Sequence, residues 1–354
     1  MDNKDVASIH NVNFKKDQFI ISWQLTSLCN YNCKFCIQGD KEKHKKDSLG
    51  ESAKKRKIIC DKIVSFIENL HGYKKLKIHL LGGEITILKD FPEILTALAS
   101  CHFKGEIRFN ITTNFSAPAD YYIKLFDTVK KYNSIETPRS LAVSVSFYKD
   151  YVEFKQFCKK LNIVQKHLET NVFTLILNNL AKMLHLSKVL KKNDLSEIFV
   201  SYPILCDTDY DNFIKMKKCF KNKININPII IREYKTELSK NISDLLISNE
   251  SKKKNILVKS CSGQELYLRN IQALGLILED KDKFYPKGYI CDAGVHSIRI
   301  DNQGNVKRCA SISNEFMCNL ECENLKCYTE PQICNSDHCS CNMYGLIEKV
   351  NQLQ

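Results

Sequence analysis

The amino-acid sequence predicts an α/β fold: a partial (β/α)6 barrel of the TIM type followed by a small cysteine-rich carboxy-terminal domain. Two observations carry this reading. From residue 20 to about 205, short β-rich runs alternate with longer amphipathic stretches, the pattern of a parallel sheet with crossover helices. The 17 cysteines of the 354-residue chain are also unevenly spread, with three inside 29–36 and eight from Cys291 onward.

Taken in order, strands are expected over 19–25, 77–81, 106–112, 141–146, 172–177 and 197–202. Between them apolar residues recur at helical spacing: Ile59, Ile63, Phe66, Ile67 and Leu70; then Ile94, Leu95 and Leu98; then Ile123, Phe126 and Val129; then Met183, Leu186 and Leu190. Six such β/α units make an incomplete barrel, whose chemistry belongs on the loops at the carboxy-terminal strand ends. After Pro203 the periodicity weakens. The expected division is an amino-terminal extension (1–19), the barrel (20–205), a polar connecting segment (206–284) with a strand near 228–231, and the cysteine-rich domain (285–354). In the last, strands at 297–300 and 306–308 flank Asp301-Asn302-Gln303-Gly304-Asn305 as a hairpin.

Composition narrows the function classes. A hydrophobic content of 44% is enough to bury a sizeable core. No stretch approaches the roughly 18 to 20 apolar residues of a membrane span, and the start, Met1-Asp2-Asn3-Lys4-Asp5, lacks the apolar core of a signal peptide. The expected location is cytoplasmic, with no membrane partner. In a reducing compartment clustered cysteines bind metal rather than form disulfides. Isolated Cys60, Cys101 and Cys158 read as small buried apolar residues. The net charge of +13 comes from lysine runs at 41–46, 54–57 and 252–254, read as solvated faces rather than a nucleic-acid surface. It also suits an acidic peptide, a phosphorylated substrate or an acidic electron donor.

Two motifs carry chemistry. Gln24-Leu25-Thr26-Ser27-Leu28-Cys29-Asn30-Tyr31-Asn32-Cys33-Lys34-Phe35-Cys36 sets three thiols at Cys-x3-Cys-x2-Cys spacing directly after the first barrel strand. Short thiolate spacings suit iron–sulfur clusters, and three ligands leave one iron of four open. A zinc knuckle with a borrowed fourth ligand is the alternative for the triad alone. Leu80-Leu81-Gly82-Gly83-Glu84 then ends the next strand, with glycines that permit close backbone approach or positive φ and a carboxylate that can accept from a cation.

Together these resemble the radical S-adenosylmethionine superfamily, in which the cysteine motif follows the first strand and an aromatic, here Phe35, precedes the third cysteine. The resemblance implies a [4Fe–4S] cluster on Cys29, Cys33 and Cys36 whose open iron chelates S-adenosylmethionine. It implies that Gly82, Gly83 and Glu84 hold the methionine ammonium. Thr113, Asn114, Ser144 and Ser146, at the next strand ends, fall where the family places ribose or carboxylate contacts. The family's glycine-containing fifth-strand signature is missing around 172–178, and Asn178 is the candidate to replace part of it.

The tail reads Cys291-Asp292-Ala293-Gly294, the hairpin, Cys309, and later Cys334-Asn335-Ser336-Asp337-His338-Cys339-Ser340-Cys341. This resembles the SPASM and twitch extensions, which implies one auxiliary [4Fe–4S] cluster with ligands from Cys291, Cys309, Cys334, Cys339 and Cys341. A second cluster on Cys318, Cys322 and Cys327, or structural zinc instead, stays open. By the same resemblance the leading expectation is a maturase-like enzyme acting on a peptide or protein. It would draw electrons from a flavodoxin- or ferredoxin-type reductant. With about 28 residues before the first cysteine, leader recognition would fall to a separate protein. The alternatives are a radical enzyme for a sugar, nucleotide or cofactor precursor, and a non-catalytic iron–sulfur protein for electron transfer or sensing. No catalytic acid or base is assigned; Tyr202, Cys206, Asp207, Cys219 and Cys261 are candidates for a hydrogen-atom donor or proton acceptor.

Overall fold

The computed structural model describes residues 6–11, 16–33, 36, 38–147, 151–167, 169–175, 199–204, 215, 225–230, 256–268, 287–309, 315–336 and 349–351. In chain order the elements begin β1 (Val6–Asn11), β2 (Gln18–Thr26), α1 (Lys41–Asp47), α2 (Ala53–Glu68), β3 (Lys75–Gly82), a 3-10 turn (Ile85–Ile87), α3 (Phe91–Ser100) and β4 (Glu106–Thr113). They continue α4 (Ala119–Lys131), β5 (Arg139–Phe147), α5 (Phe154–Val164), β6 (Glu169–Leu175), β7 (Phe199–Ile204) and β8 (Asn225–Ile230). The remainder is β9 (Ile256–Ser260), β10 (Glu265–Leu268), β11 (Tyr289–Cys291), β12 (Ser297–Ile300), β13 (Asn305–Lys307), β14 (Cys318–Asn319), β15 (Gln332–Ile333) and β16 (Lys349–Asn351). The chain forms two compact units, one of Gln24–Glu68 with Ile78–Leu238, the other of Met1–Trp23, Asn69–Lys77 and Ser239–Gln354.

The first unit is the α/β one. Beginning with the last residues of β2 and β3, its strands lie in the order β2-β3-β4-β5-β6, with β4–β5 and β5–β6 parallel and Thr112, Ser144 and Asn171 in register across them. β7 and β8 pair in parallel as a separate ladder. Strand residues alternate in burial as a half-covered sheet requires. Ile78, Leu80, Phe109, Ile111, Val143 and Val145 are fully buried, on the same side as the apolar stripes of the helices: Ile59, Ile63 and Ile67 on α2, Leu95 and Leu98 on α3, Leu125 and Val129 on α4, Leu161 and Val164 on α5. At about 1.5–3 kcal/mol for each fully buried aliphatic side chain, this layer is what holds the strands at a fixed spacing. Their alternates His79, Asn110, Thr112 and Ser144 are partly or fully exposed and make the opposite face polar.

This mixed α/β architecture with a mainly parallel sheet is the fold class expected. Strands β2 to β8 coincide with the expected runs and extend them by one to three residues at most ends. Cys60, Cys101 and Cys158 are buried, and burial pushes each thiol up to about 12.

The second unit collects the chain's ends. Its antiparallel sheet runs β10-β9-β1-β16-β11-β15. A further ladder within this unit places β12 parallel to the first part of β2, with Ile298 opposite Ile21 and Ile300 opposite Trp23. The hairpin at 297–308 forms as β12–β13, Arg299 facing Lys307. Its loop is closed by the Asp301 carboxylate, which accepts from the Gln303 and Asn305 backbone N–H groups at 2.9 and 3.0 Å. No helix among the described residues is long and apolar enough to cross a membrane.

Candidate active site

The loop after β2 is fixed from both sides. Behind it, the Glu51 carboxylate accepts from the Thr26 hydroxyl at 2.5 Å and the Ser27 N–H at 2.7 Å, and the Thr26 hydroxyl accepts in turn from the Leu28 N–H at 3.0 Å. Arg56 stands 4.0 Å from Glu51 and is itself gripped by Asp90 through two bonds of 2.7 and 2.9 Å. A bidentate guanidinium–carboxylate pair of this kind is directional as well as attractive, so the carboxylate that pins the loop is itself held in place.

In front of the loop lies the strand-end turn. Gly83 N–H donates to the Thr26 carbonyl at 2.9 Å and Glu84 N–H to the Leu28 carbonyl at 2.8 Å. A Cβ on Gly83 would fall 2.4 Å from the Leu28 oxygen and 2.6 Å from the Ser27 oxygen. The glycine is therefore required by contact with the cysteine loop. Neither Gly82 nor Gly83 is among the positive-φ glycines, so of the two reasons the sequence offered, close approach is the operative one. The Gln38 amide donates to the Gly82 carbonyl at 3.1 Å, tying the far end of the loop to the same turn.

Glu84 is 0% exposed. One carboxylate oxygen accepts from the Thr86 N–H and hydroxyl (3.0 and 2.7 Å) and from the Thr113 hydroxyl (2.7 Å), and the other accepts from the Asn114 N–H at 2.5 Å. Burial pushes its pKa up, opposed by the Thr86, Asn114 and Thr113 hydrogen bonds. The side chain thus ties the end of β3 to the end of β4. Thr113 is correspondingly turned inward, 2% exposed, with Tyr122 Oη 3.1 Å away. Its neighbour Thr112 is exposed, on the face shared by Ser144 and, at the rim, Ser146. Thr112 is the residue that sequence reasoning passed over. Only the strand's register decides between two adjacent threonines.

Asn114 bridges to the cysteine loop, its amide donating to Asn30 Oδ1 at 2.7 Å and lying 3.8 Å from Cys29 Sγ. Phe115 follows with φ of 60°, an uncommon conformation for a bulky residue. It is held by Lys160, whose ammonium donates to the Phe115 and Ala117 carbonyls at 2.7 and 2.8 Å and sits 4.9 Å above the Phe115 ring.

Cys29, Cys33 and Cys36 are all half-buried. Cys29 is pushed up by burial, with the Tyr31 N–H, 3.4 Å from its sulfur, pulling the other way. Tyr31 stacks on Tyr151 at 4.0 Å between ring centres and 7° between planes, and the Tyr151 hydroxyl accepts from the Asn32 N–H at 2.7 Å. Cys36 Sγ lies 3.7 Å from His44 Nε2. Among the described residues no three or more His, Cys, Asp or Glu side chains converge on a point that would hold a single ion.

In the second unit Cys291 and Cys334 are buried with Ala293 in one small cluster, and Cys309 packs against it. Backbone pairing sets this up: Cys334 N–H donates to the Tyr289 carbonyl at 2.7 Å, and Gly288 N–H to the Cys334 carbonyl at 2.9 Å. Burial pushes the Cys318 thiol up and the Cys327 thiol up to about 12, the latter also through the neighbouring Cys318, whereas Cys322 is exposed. Phe35, Cys339, Cys341, Asn178, Cys206, Asp207, Cys219 and the apolar stripe at 183–190 lie outside the described residues. Cys261 is exposed on the turn after β9, and Tyr202 is within β7.

The Radical SAM superfamily profile matches residues 23–181. Two curated proteins named GTP 3',8-cyclase are similar over short stretches. That of Edwardsiella ictaluri (strain 93-146) is 29% identical over 85 residues, 24% of this chain. That of Psychromonas ingrahamii (strain DSM 17664 / CCUG 51855 / 37) is 32% identical over 103 residues, 29% of this chain. The match spans about a quarter of the length of these relatives, 24% and 27%. Among solved structures, native anSMEcpe with bound AdoMet superposes with a TM-score of 0.50 and 14% identity, covering 86% of this chain and 79% of that one, a likeness of fold. Streptococcus suis SuiB gives 0.47 and 14% over 87% and 65%.

Proposed function

Residues 23–181 are a radical SAM superfamily domain, and from that premise we propose that the protein is an enzyme in which Cys29, Cys33 and Cys36 hold a [4Fe–4S] cluster and a peptide or protein is the substrate modified. When bound, the cluster and S-adenosylmethionine supply a 5'-deoxyadenosyl radical that takes a hydrogen atom from substrate, so the hard chemistry is the cofactor's and the positioning is the protein's. The observation that carries the reading is the clasp at the end of β3: Gly83 presses on the backbone of the cysteine loop so closely that no Cβ fits.

The residues present fit the group. Three thiols on one eight-residue stretch after β2 are a donor set for three irons of four, each thiolate on its own iron, so convergence on one point is not needed. The Gly82-Gly83-Glu84 backbone borders that loop and would receive the methionine end of the cofactor. The Glu84 carboxylate serves by orienting that backbone. Asn114 bridges strand end to loop, and Thr112 and Ser144 offer hydroxyls on the open face for the ribose or for substrate, with the buried Ser146 on the same side of its strand. The auxiliary [4Fe–4S] cluster is supported by the packing of half-buried Cys309 against the buried Cys291 and Cys334; Cys339 and Cys341 are its remaining candidate ligands. A flavodoxin- or ferredoxin-type protein would supply the electron.

A second reading, a nucleotide or other small molecule as substrate, is favoured by the two short matches to GTP 3',8-cyclases. Anaerobic reconstitution with iron counted per chain, followed by a dithionite assay for 5'-deoxyadenosine, tests the shared core. About eight irons fit the barrel cluster plus one auxiliary cluster, and about four with zinc make the tail structural. Incubation with peptides encoded beside the gene, read by mass spectrometry and by chiral amino-acid analysis, then separates the substrates. Neither a mass change nor epimerisation in any peptide, together with turnover of a nucleotide, would replace the first reading by the second.

A further inference from the structure

Helix α1 carries a histidine to which the chemistry above gives no task. His44 is 2% exposed on a helix otherwise built of lysines and acidic residues. The helix starts from the cysteine loop itself. Gly39 N–H donates to the Cys36 carbonyl at 3.0 Å, Asp40 caps the helix by accepting from the Lys43 N–H at 2.9 Å, and His44 N–H donates to the Asp40 carbonyl at 2.9 Å. Basic residues close the last turn, as the helix dipole favours. This tight return brings the imidazole back onto the sulfur that precedes it. Nε2 lies 3.7 Å from Cys36 Sγ, while Nδ1 is buried and meets no hydrogen-bond partner among the described residues.

A neutral imidazole carries one N–H and one lone pair. An orphaned buried N–H is the rarer and costlier of the two defects, so the proton belongs on Nε2, where a sulfur stands to accept it. We propose that His44 is a positioning residue for the cluster: Nε2–H donates to the Cys36 thiolate, fixes its direction and draws charge from the sulfur. The inference rests on the reading of Cys29, Cys33 and Cys36 as cluster ligands. Hydrogen bonds to the sulfurs are among the factors that set a cluster's potential. A donor at Cys36 favours the reduced, more negative state and so raises the potential, which eases the electron's entry. Leucine could fill the same volume but could not donate, and glutamine keeps an N–H at similar reach.

The test uses the full chain, reconstituted anaerobically, as wild type, His44→Leu and His44→Gln. Redox titration follows the paramagnetic signal that changes on adding S-adenosylmethionine, since that ligand reaches only a cluster with an open iron. At the poise that half-reduces wild type, His44→Leu is expected to show a several-fold lower reduced-to-oxidised ratio, a tenfold drop being about 59 mV for one electron. His44→Gln should recover most of it at equal iron content. A second measurement needs no leucine variant. Wild type grown with 15N-histidine should show a 15N coupling to the reduced cluster by pulsed EPR, absent in His44→Gln. Equal potentials in all three chains, or a loaded wild-type cluster with no 15N coupling, overturns the proposal. A wild type that takes up no such cluster overturns the ligand reading beneath it.

Discussion

Alanine at Gly83 is the most direct probe of the clasp between strand end and cysteine loop. Its Cβ would sit 2.4 Å from the Leu28 carbonyl oxygen, 2.6 Å from the Ser27 oxygen and 2.7 Å from the Leu28 carbonyl carbon. All three are backbone atoms, so no side chain can swing aside. To reach an ordinary contact the loop must withdraw by close to an ångström, and overpacking of this kind costs about 1–3 kcal/mol. Withdrawal also stretches the Gly83 N–H to Thr26 and Glu84 N–H to Leu28 bonds, at about 1 kcal/mol each. The expected loss is therefore about 3–5 kcal/mol. Thermal unfolding of the cluster-free chain should show a fall of several degrees, and reconstitution should deliver fewer irons. Gly82→Ala is the internal control. Its nearest contacts are 3.0–3.1 Å, two of the three to side-chain methyls of Ile85 and Thr26, which can give, so its effect should be about a third as large. A Gly83→Ala chain that melts and loads iron like wild type would refute the close-approach account.

Other outcomes follow from the same network. Glu84→Ala strands the Thr113 hydroxyl and the Thr86 and Asn114 N–H groups in a buried site, at about 1–3 kcal/mol per orphan, and should lower the melting temperature more than Thr86→Val does. Glu51→Gln keeps one acceptor for Thr26 and Ser27 but removes the charge that faces Arg56; it should cost about 1 kcal/mol and speed iron loss to a chelator. Because burial raises Cys29 and the thiolate is the nucleophile, its alkylation in the cluster-free chain should rise with pH along a curve displaced above that of a short cysteine peptide, as followed by peptide mass mapping. Cys309→Ala should reduce iron per chain by close to four, while Cys322→Ala, at an exposed position, should leave the count unchanged.

The barrel strands were legible because their faces are chemically distinct: Phe109 and Ile111, or Val143 and Val145, alternate with polar residues as a half-covered sheet demands. Helices α2 to α4 announced themselves by apolar spacing in the same way. Helix α1 did not. Its sequence, Lys41-Glu42-Lys43-His44-Lys45-Lys46-Asp47, reads as a solvated charge run, and the single buried side chain, His44, is held there by a cap and a sulfur that no periodicity reveals. Strands β1, β9, β11 and β16 exist through pairings between distant segments, such as Ser8 with Val350. At the site, the motifs locate a turn and a loop that the structure brings side by side, yet the direction of Glu84 and the choice between Thr112 and Thr113 hang on register, and one residue of register exchanges the two faces of a strand.

The parallel pairing of β2 with β12 bears on how the chain is made. β2 leaves the ribosome well before β12: Ser297 follows Trp23 by more than 270 residues, so that edge has no partner for roughly 14–55 s at ordinary elongation rates. The exposed ladder groups belong to a run of apolar residues, Phe19, Ile20 and Ile21, of the kind that pairs with other chains when left open. Slow translation or truncation before residue 300 should therefore send the product to aggregates even though the whole barrel sequence has been synthesised, and soluble yield should depend on the carboxy-terminal unit more than its size suggests.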